Sequence, residues 1–362
     1  MLQIQSDSDD ALSNFLHRAG WAGADITPLA GDASSRSFKR VRNHEHCAIL
    51  MIAPPGAETA ACPPEASPED RRALGYNASA RLAGPSLAPF IAITGALRHA
   101  GLSAPEIYAV DEHKGYALIE DLGDALYARA VEQYDERLLY HSAVEALLQL
   151  KHAKLPRPAF GAYKMLDYDG LALRTEAALF SEWYWPLKTN TSPPDDFCAE
   201  FNSIIDEMTG ALSLPSTIVL RDYHAENLLW LPGRDGIART GVIDFQDGLF
   251  GSPAYDLASL LEDARRDVSA SLADHLLTTY ADRGFSSDKA LQDAFKSDYA
   301  IVAAQRNAKI LGVFARLAKR DQKPRYLDFL PRVEAHFRRD LERPEAQKLK
   351  TFLAPHFPDL AA

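Results

Sequence analysis

Residues 218–250 read IVLRDYHAENLLWLPGRDGIARTGVIDFQDGLF, and the fold turns on them. Ile218-Val219-Leu220 is an apolar run that stops at Arg221-Asp222. Leu228-Leu229-Trp230-Leu231 is a second run, closed by Pro232-Gly233-Arg234-Asp235-Gly236. Gly241-Val242-Ile243 is a third, and it delivers Asp244. Runs this short, punctuated by Gly, Pro and Asp, suit strands better than helices. The order is strand, acidic loop, strand, turn, strand, acidic loop. Asp222, Asn227 and Asp244 therefore fall at or just beyond strand ends, on neighbouring loops.

Each of these residues alone is an ordinary turn former. Their joint spacing is more informative. Asn227 follows Asp222 by five positions, and Asp244 follows Asn227 by seventeen. Phosphoryl transfer from a nucleotide needs a carboxylate to orient and deprotonate the attacking hydroxyl. It also needs oxygen ligands for a magnesium ion that bridges the phosphates. Magnesium retains several waters, so one carboxylate and one amide oxygen are enough from the protein. Asp222 suits the first role; Asn227 and Asp244 suit the second. Protein kinases place a catalytic Asp and an Asn at the same interval, then Asp-Phe-Gly on a following hairpin. Here the last element is Asp244-Phe245-Gln246.

D-x-H-x-x-N followed by Ile243-Asp244-Phe245 resembles the aminoglycoside and choline kinase superfamily, whose fold is protein-kinase-like. LRDYHAENLLWL, VIDFQDGLFGSPAYDLASLLEDARRDV and QRNAKILGVFARLAKRDQKPRYLDFLPRV resemble the bacterial anomeric sugar kinases more closely. Those enzymes phosphorylate N-acetylmuramate and N-acetylglucosamine at the C1 hydroxyl in cell-wall recycling. The resemblance runs over residues 30–333 and is densest from Arg221 onward. It implies a bilobal α+β fold, with a small β-rich nucleotide-binding lobe over 1–121 and a larger, mainly helical lobe over 122–362. It also implies ATP and Mg2+ as cofactors and a small sugar as substrate, in a monomer or weak dimer. Superfamily members carry His two residues before the catalytic Asp; this chain has Leu220. Two rival readings stay open. One is a kinase of choline, homoserine or an aminoglycoside, and the other is a nucleotide-binding regulator without turnover.

Composition is compatible with that picture. A chain of 362 residues can build two lobes with proper cores. A formal net charge of −11 argues against nucleic-acid and acidic-membrane partners. Cys47, Cys62 and Cys198 match neither a zinc site nor a disulfide framework, and read as reduced thiols. No apolar run approaches the roughly 20 residues needed to span a bilayer, and MLQIQSDSDD does not read as a signal peptide. A cytoplasmic protein is expected.

In chain order, Asp9 to Gly20 reads as a helix with Leu12, Phe15 and Leu16 on one face. Ile26 to Val41 reads as a hairpin with a small-residue turn. Ser34, Ser35 and Arg36 are its candidates for the nucleotide phosphates, because small residues let backbone N–H groups approach an anion. Cys47 to Ala53 reads as a third strand, with Met51 where protein kinases place a phosphate-binding Lys. Arg36, Lys39 and Arg40 are the nearest replacement cations. Residues 54–85 read as a flexible insertion with no assigned chemistry. The helical face of Phe90, Ile93, Ala96 and Leu97 carries no Glu to pair with the missing Lys. By resemblance, the backbone of Glu120 and Leu122 meets adenine at the crossover between lobes.

Leu173 to Trp185 reads as one helix with Leu173, Ala177, Phe180 and Tyr184 on a common face. Glu176, Glu182, Trp183 and Trp185 are left to other faces, and Glu182 and Trp183 are candidate sugar contacts. His224 either holds the catalytic loop by hydrogen bonds or faces the substrate. Gly251 to Ala258 resembles the segment where kinase-like folds place a structural Asp, and by that resemblance Asp256 is expected to brace the loop from a helix start. Glu262, Asp263, Arg265 and Arg266 are placed on the same helix, with Arg265 a candidate substrate contact.

Overall fold

An antiparallel sheet of five strands forms the first lobe of the computed structural model. The structure describes residues 2–29, 36–44, 46–54, 61–84, 86–153, 155, 159–160, 163–286 and 288–362. The strands are β1 (Asp25–Pro28), β2 (Ser37–Asn43), β3 (His46–Ile52), β4 (Ile107–Asp111) and β5 (Tyr116–Glu120), in the spatial order β1-β2-β3-β5-β4. Alternate residues of β3 and β5 feed two separate cores, as the two-residue period of a strand requires. Ala48, Leu50, Tyr116 and Leu118 pack with Phe15 and Leu16 of the helix Leu2–Arg18. Met51, Ala117 and Ile119 pack with Phe90, Ile93 and Leu97 of the helix Ala88–His99. Met51 is thus a core residue where a kinase Lys would stand. The first helix begins at Leu2, earlier than its Asp9-Asp10 pair suggests.

The insertion is not a loose loop over its described part. Pro68–Leu74 is a helix with a complete capping box between Ser67 and Asp70. A π-type turn, Asn77–Arg81, follows it. This segment is tied to the second lobe at both ends. Arg71 Nη2 donates to Asp169 Oδ1 at 3.1 Å, and Arg81 Nε donates to Asp247 Oδ2 at 2.6 Å. Arg71 also donates to the carbonyls of Ala78 and Ser79, which locks the turn against the helix. An Ala- and Pro-rich composition hides this, because the order comes from charge pairs made across the lobe boundary.

The second lobe is built around a helix of 31 residues, Lys289–Lys319. From Phe295 to Ala315 most of its circumference is buried, so it serves as a central pillar. Leu173 to Trp185 is not one helix. Gly170–Ala177 is helical, Phe180–Tyr184 forms a π-type turn, and Trp185–Thr189 is a separate short helix. Phe180 and Tyr184 enter an aromatic cluster with Phe201, Phe337 and Phe357. The break lets the chain approach the pillar closely at Gly312, where any Cβ would collide with the backbone of Leu179. Beyond a two-residue hairpin, β6 (Ala159–Phe160) with β7 (Tyr163–Lys164), four short strands carry the deciding stretch. They are β8 (Thr217–Val219), β9 (Leu228–Trp230), β10 (Thr240–Val242) and β11 (Leu249–Gly251), and they pair antiparallel as β9 with β10 and β8 with β11. No helix of the described residues is long and apolar enough to cross a membrane.

Candidate active site

The loop after β8 is held by its backbone. Asp256, in the first turn of the helix Ala254–Leu261, accepts from Leu220 N at 2.7 Å and from Arg221 N at 2.8 Å. Burial pushes the Asp256 carboxyl up to about 7, against the two backbone N–H groups that favour its charged form. Asp263 accepts from Ala225 N at 3.1 Å, further along the same loop. Between these braces Arg221 takes a left-handed conformation, φ +72°, which turns the chain sharply at Asp222. Asp244 is likewise left-handed at φ +58°. Non-glycine residues in this region mark backbone held by its surroundings.

The three candidate residues come together. Asn227 Nδ2 donates to the backbone carbonyl of Asp222 at 3.0 Å, and Ile243 N donates to the carbonyl of Asn227 at 3.0 Å. The first contact occupies the amide nitrogen of Asn227 and leaves its oxygen for another partner. Asp222 and Asp244 both open onto solvent, yet protein surrounds them closely enough to perturb both. Asp244 is pushed up, first by desolvation and next by the charge of Asp222. Gln246 Nε2 donates to Asp244 Oδ1 at 2.7 Å, and Phe245 stacks on Phe90 with centroids 5.4 Å apart. That stack seats the acidic loop against the helix Ala88–His99.

Asp222 is held down, although desolvation alone would raise it. Lys309 is the strongest opposing influence, followed by His224, Arg221 and Arg265. His224 acts in this way only when protonated. Its burial pushes it down to about 4, so at neutral pH the three cations carry the effect. Lys309 and Arg221 share one buried carboxylate, Glu176. Lys309 Nζ lies 2.9 Å from Glu176 Oε1, and Arg221 pairs with the same oxygen. Tyr168 donates to the other Glu176 oxygen, and its ring lies beneath the Arg221 guanidinium at 4.9 Å. The sequence reading missed Glu176 and Lys309. The available signal was a run of polar residues, Gln305-Arg306-Asn307 and Lys309, directly after the apolar stretch Ala300-Ile301-Val302-Ala303-Ala304.

The remaining candidates separate. Arg36 is buried and close enough to act on Asp244, and its Nη2 donates to Gly84 O at 3.5 Å. Ser34 and Ser35 lie outside the described residues. Arg40 is committed to Asp121 at 2.6 Å and Asp124 at 2.7 Å, so it braces the interlobe crossover and is not free for phosphates. The Glu120 side chain pairs with Arg234 and accepts from Glu106 N at 3.2 Å, which leaves only its backbone for a base. Leu122 follows β5 directly. Trp183 packs against the C-terminal aromatic core, and its indole N–H is buried without a hydrogen-bond partner among the described residues. Glu182 is exposed and lies near Arg320. Arg265 is not on the helix of Asp256, which ends at Leu261; it sits in the following turn. Asp263 Oδ1 accepts from Arg265 N at 2.8 Å and fixes that turn.

His224 is a buried loop member. Arg265 Nη1 lies 3.3 Å from its Nε2, and Asn227 Nδ2 lies 3.5 Å away. Both neighbours are donors, so Nε2 is the acceptor and the neutral ring carries its proton on Nδ1. An unfolded histidine titrates near 6.5, and folding lowers this one. Between pH 6.5 and 4 the unfolded chain takes up a proton that the folded chain refuses. The stability tied to His224 is therefore complete above the unfolded value and declines as pH falls toward the folded one, by ~3 kcal/mol across the window. His224→Gln is expected to flatten this acid decline in denaturant unfolding measured at pH 7 and pH 4.5. An unchanged decline would place the lost stability elsewhere.

Similarity to known proteins agrees with this geometry. The phosphotransferase enzyme family model matches residues 25–291. The chain belongs to that family. It is 41% identical to the N-acetylmuramate/N-acetylglucosamine kinase of Caulobacter vibrioides, over 99% of both chains. To the protein of the same name from Pseudomonas putida it is 27% identical, over 96% of this chain and 93% of that one. Among solved structures, a choline/ethanolamine kinase family protein from Mesorhizobium loti superposes with a TM-score of 0.57 at 16% identity, covering 98% and 99% of the two chains. An ADP-bound aminoglycoside phosphotransferase superposes with a TM-score of 0.52 at 12% identity, covering 88% and 94%. These phosphotransferases share the fold of a small sheet lobe above a helical lobe.

Proposed function

We propose that this chain is an ATP-dependent kinase that phosphorylates the anomeric hydroxyl of N-acetylmuramate and N-acetylglucosamine in cell-wall sugar recycling. The observation that carries this reading is the end-to-end match, at 41% identity over 99% of both chains, to a kinase named for those two sugars. Asp222 orients the hydroxyl and accepts its proton. Lys309, Arg221 and Arg265 keep Asp222 ionised for that task. The ring oxygen makes an anomeric hydroxyl more acidic than an ordinary alcohol, so a carboxylate of modest basicity suffices. Asn227 and Asp244 offer an amide oxygen and a carboxylate, the hard donors magnesium selects. A cation there would offset the mutual repulsion that raises Asp244. No group of three or more His, Cys, Asp or Glu side chains suited to a metal occurs among the described residues, which fits a Mg2+ whose other ligands are phosphates and water. When bound, Mg2+ supplies charge neutralisation to the phosphates.

Every group named comes from one chain, so a monomer is sufficient. The three cysteines are free thiols, in keeping with a cytoplasmic enzyme. The test is ADP release with a panel of acceptors, followed by phosphorus NMR of the product. Release with the two amino sugars, and phosphorus coupled to the anomeric position, is expected. Release only with choline, homoserine or an aminoglycoside, or nucleotide binding without turnover on any acceptor, would overturn the reading.

A further inference from the structure

The two sugars differ by one group: N-acetylmuramate carries a lactyl ether on C3, ending in a carboxylate, and N-acetylglucosamine does not. A protein that uses both can favour the acid by placing a cation within reach of that arm. The cations nearest Asp222 are already engaged. Lys309 and Arg221 share Glu176. Arg265 lies against His224 and over the ring of Phe314. Farther along the pillar helix, at its C-terminal cap, Arg320 is paired with Asp321 at 2.6 Å.

Arg316 differs from all of these. It is half-buried and makes no ion pair within 4.0 Å among the described residues, although Asp321, already paired with Arg320, is near enough to feel its charge. Its Nε is buried without a hydrogen-bond partner, a state that buried donors rarely keep. Its guanidinium lies over the ring of Tyr76, 5.0 Å from the centroid. Tyr76 belongs to the insertion docked by Arg71 and Arg81, and it lies close enough to Glu176, Lys309, Arg316 and Arg221 to feel all four charges. Tyr76 thus joins the catalytic cluster to Arg316. Lys309 and Arg316 are seven residues apart on one helix, two turns along the same face, or about 10 Å. Flexible side chains on that spacing can bracket the shorter separation between an anomeric hydroxyl and a carboxylate on an arm from C3. A guanidinium held over an aromatic ring keeps its N–H edge available as the fork that matches a carboxylate.

We infer that Arg316, held by Tyr76 of the docked insertion, receives the lactyl carboxylate of N-acetylmuramate and sets the preference for the acidic sugar. This rests on the function proposed above. Two comparisons test it together: N-acetylmuramate against its lactyl carboxamide, and wild type against Arg316→Met. The wild type is expected to prefer the acid over the amide by roughly 10- to 100-fold in kcat/KM, mainly through KM, the scale of one charge-assisted contact. Arg316→Met is expected to abolish that preference, and to lower the ratio of kcat/KM for N-acetylmuramate over N-acetylglucosamine by a similar factor. Lys319→Met removes an equal charge from the exposed end of the same helix and should leave the ratio in place. A wild type indifferent to the carboxylate overturns the inference even if the variant fails to fold. So does an Arg316→Met enzyme that keeps the full acid preference, or a Lys319→Met enzyme that shifts the ratio as far. Turnover by wild type on neither sugar would overturn the proposed function itself, and this assignment with it.

Discussion

Asp222→Asn is expected to lower kcat roughly 100- to 10,000-fold with either sugar, the range for loss of a positioned general base. Asparagine has the same shape and cannot take the proton. The loop should survive the change, because Asp256 and Asp263 hold it through the backbone N–H groups of Leu220, Arg221 and Ala225. Asn227 donates to the backbone carbonyl of residue 222, which the substitution leaves in place. Nucleotide binding should therefore persist. Removing the Asp222 charge also relieves the repulsion that raises Asp244. ADP-release kinetics paired with calorimetric titration of ATP and magnesium separate the two effects. Turnover close to wild type would remove Asp222 from the chemistry.

Glu176→Gln should produce the largest loss of stability, about 3–5 kcal/mol, the usual consequence of removing one partner of a buried ion pair. Glu176 is almost fully buried and accepts from Arg221, Lys309 and Tyr168. Burial alone would raise its pKa, but Arg221 and then Lys309 hold the carboxyl below its usual range, so it is an anion in the folded protein. Glutamine leaves two buried cations facing a neutral amide. Arg221 immediately precedes Asp222, so kcat should fall as well, even at temperatures where the variant stays folded. Adding Lys309→Met to Glu176→Gln should restore part of the stability, because one orphaned charge is removed. Denaturant midpoints and kcat for the single and double variants check this. A single variant within 1 kcal/mol of wild type, with unchanged kcat, would show that the network contributes nothing.

Local chemistry made much of the site legible. Asp222 and Asp244 follow short apolar runs and Asn227 precedes another, and runs so short and so punctuated suit strands whose loops are neighbours. Asp256 was readable as a brace through the resemblance of its segment to the one where kinase-like folds place a structural Asp, at a helix start. The breaks within 173–185 and after Leu261 were hidden, since π-type turns and helix ends packed in a core obey tertiary contacts more than local propensity. Arg40 looked like a phosphate cation because its strand position suited one. Its partners Asp121 and Asp124 lie more than eighty residues away in the chain.

The sequence alone determined the reaction class. The reaction needs a few oxygen-bearing side chains at fixed intervals, and intervals are a property of the chain. Tertiary structure alone decided which charges surround those side chains. Glu176, Arg221 and Lys309 come from three elements that meet only when the pillar helix packs behind the loop after β8. Tyr76 reaches Arg316 only because the insertion docks across the lobe boundary. Electrostatic environment depends on distance through space, and no local pattern along the chain encodes that distance.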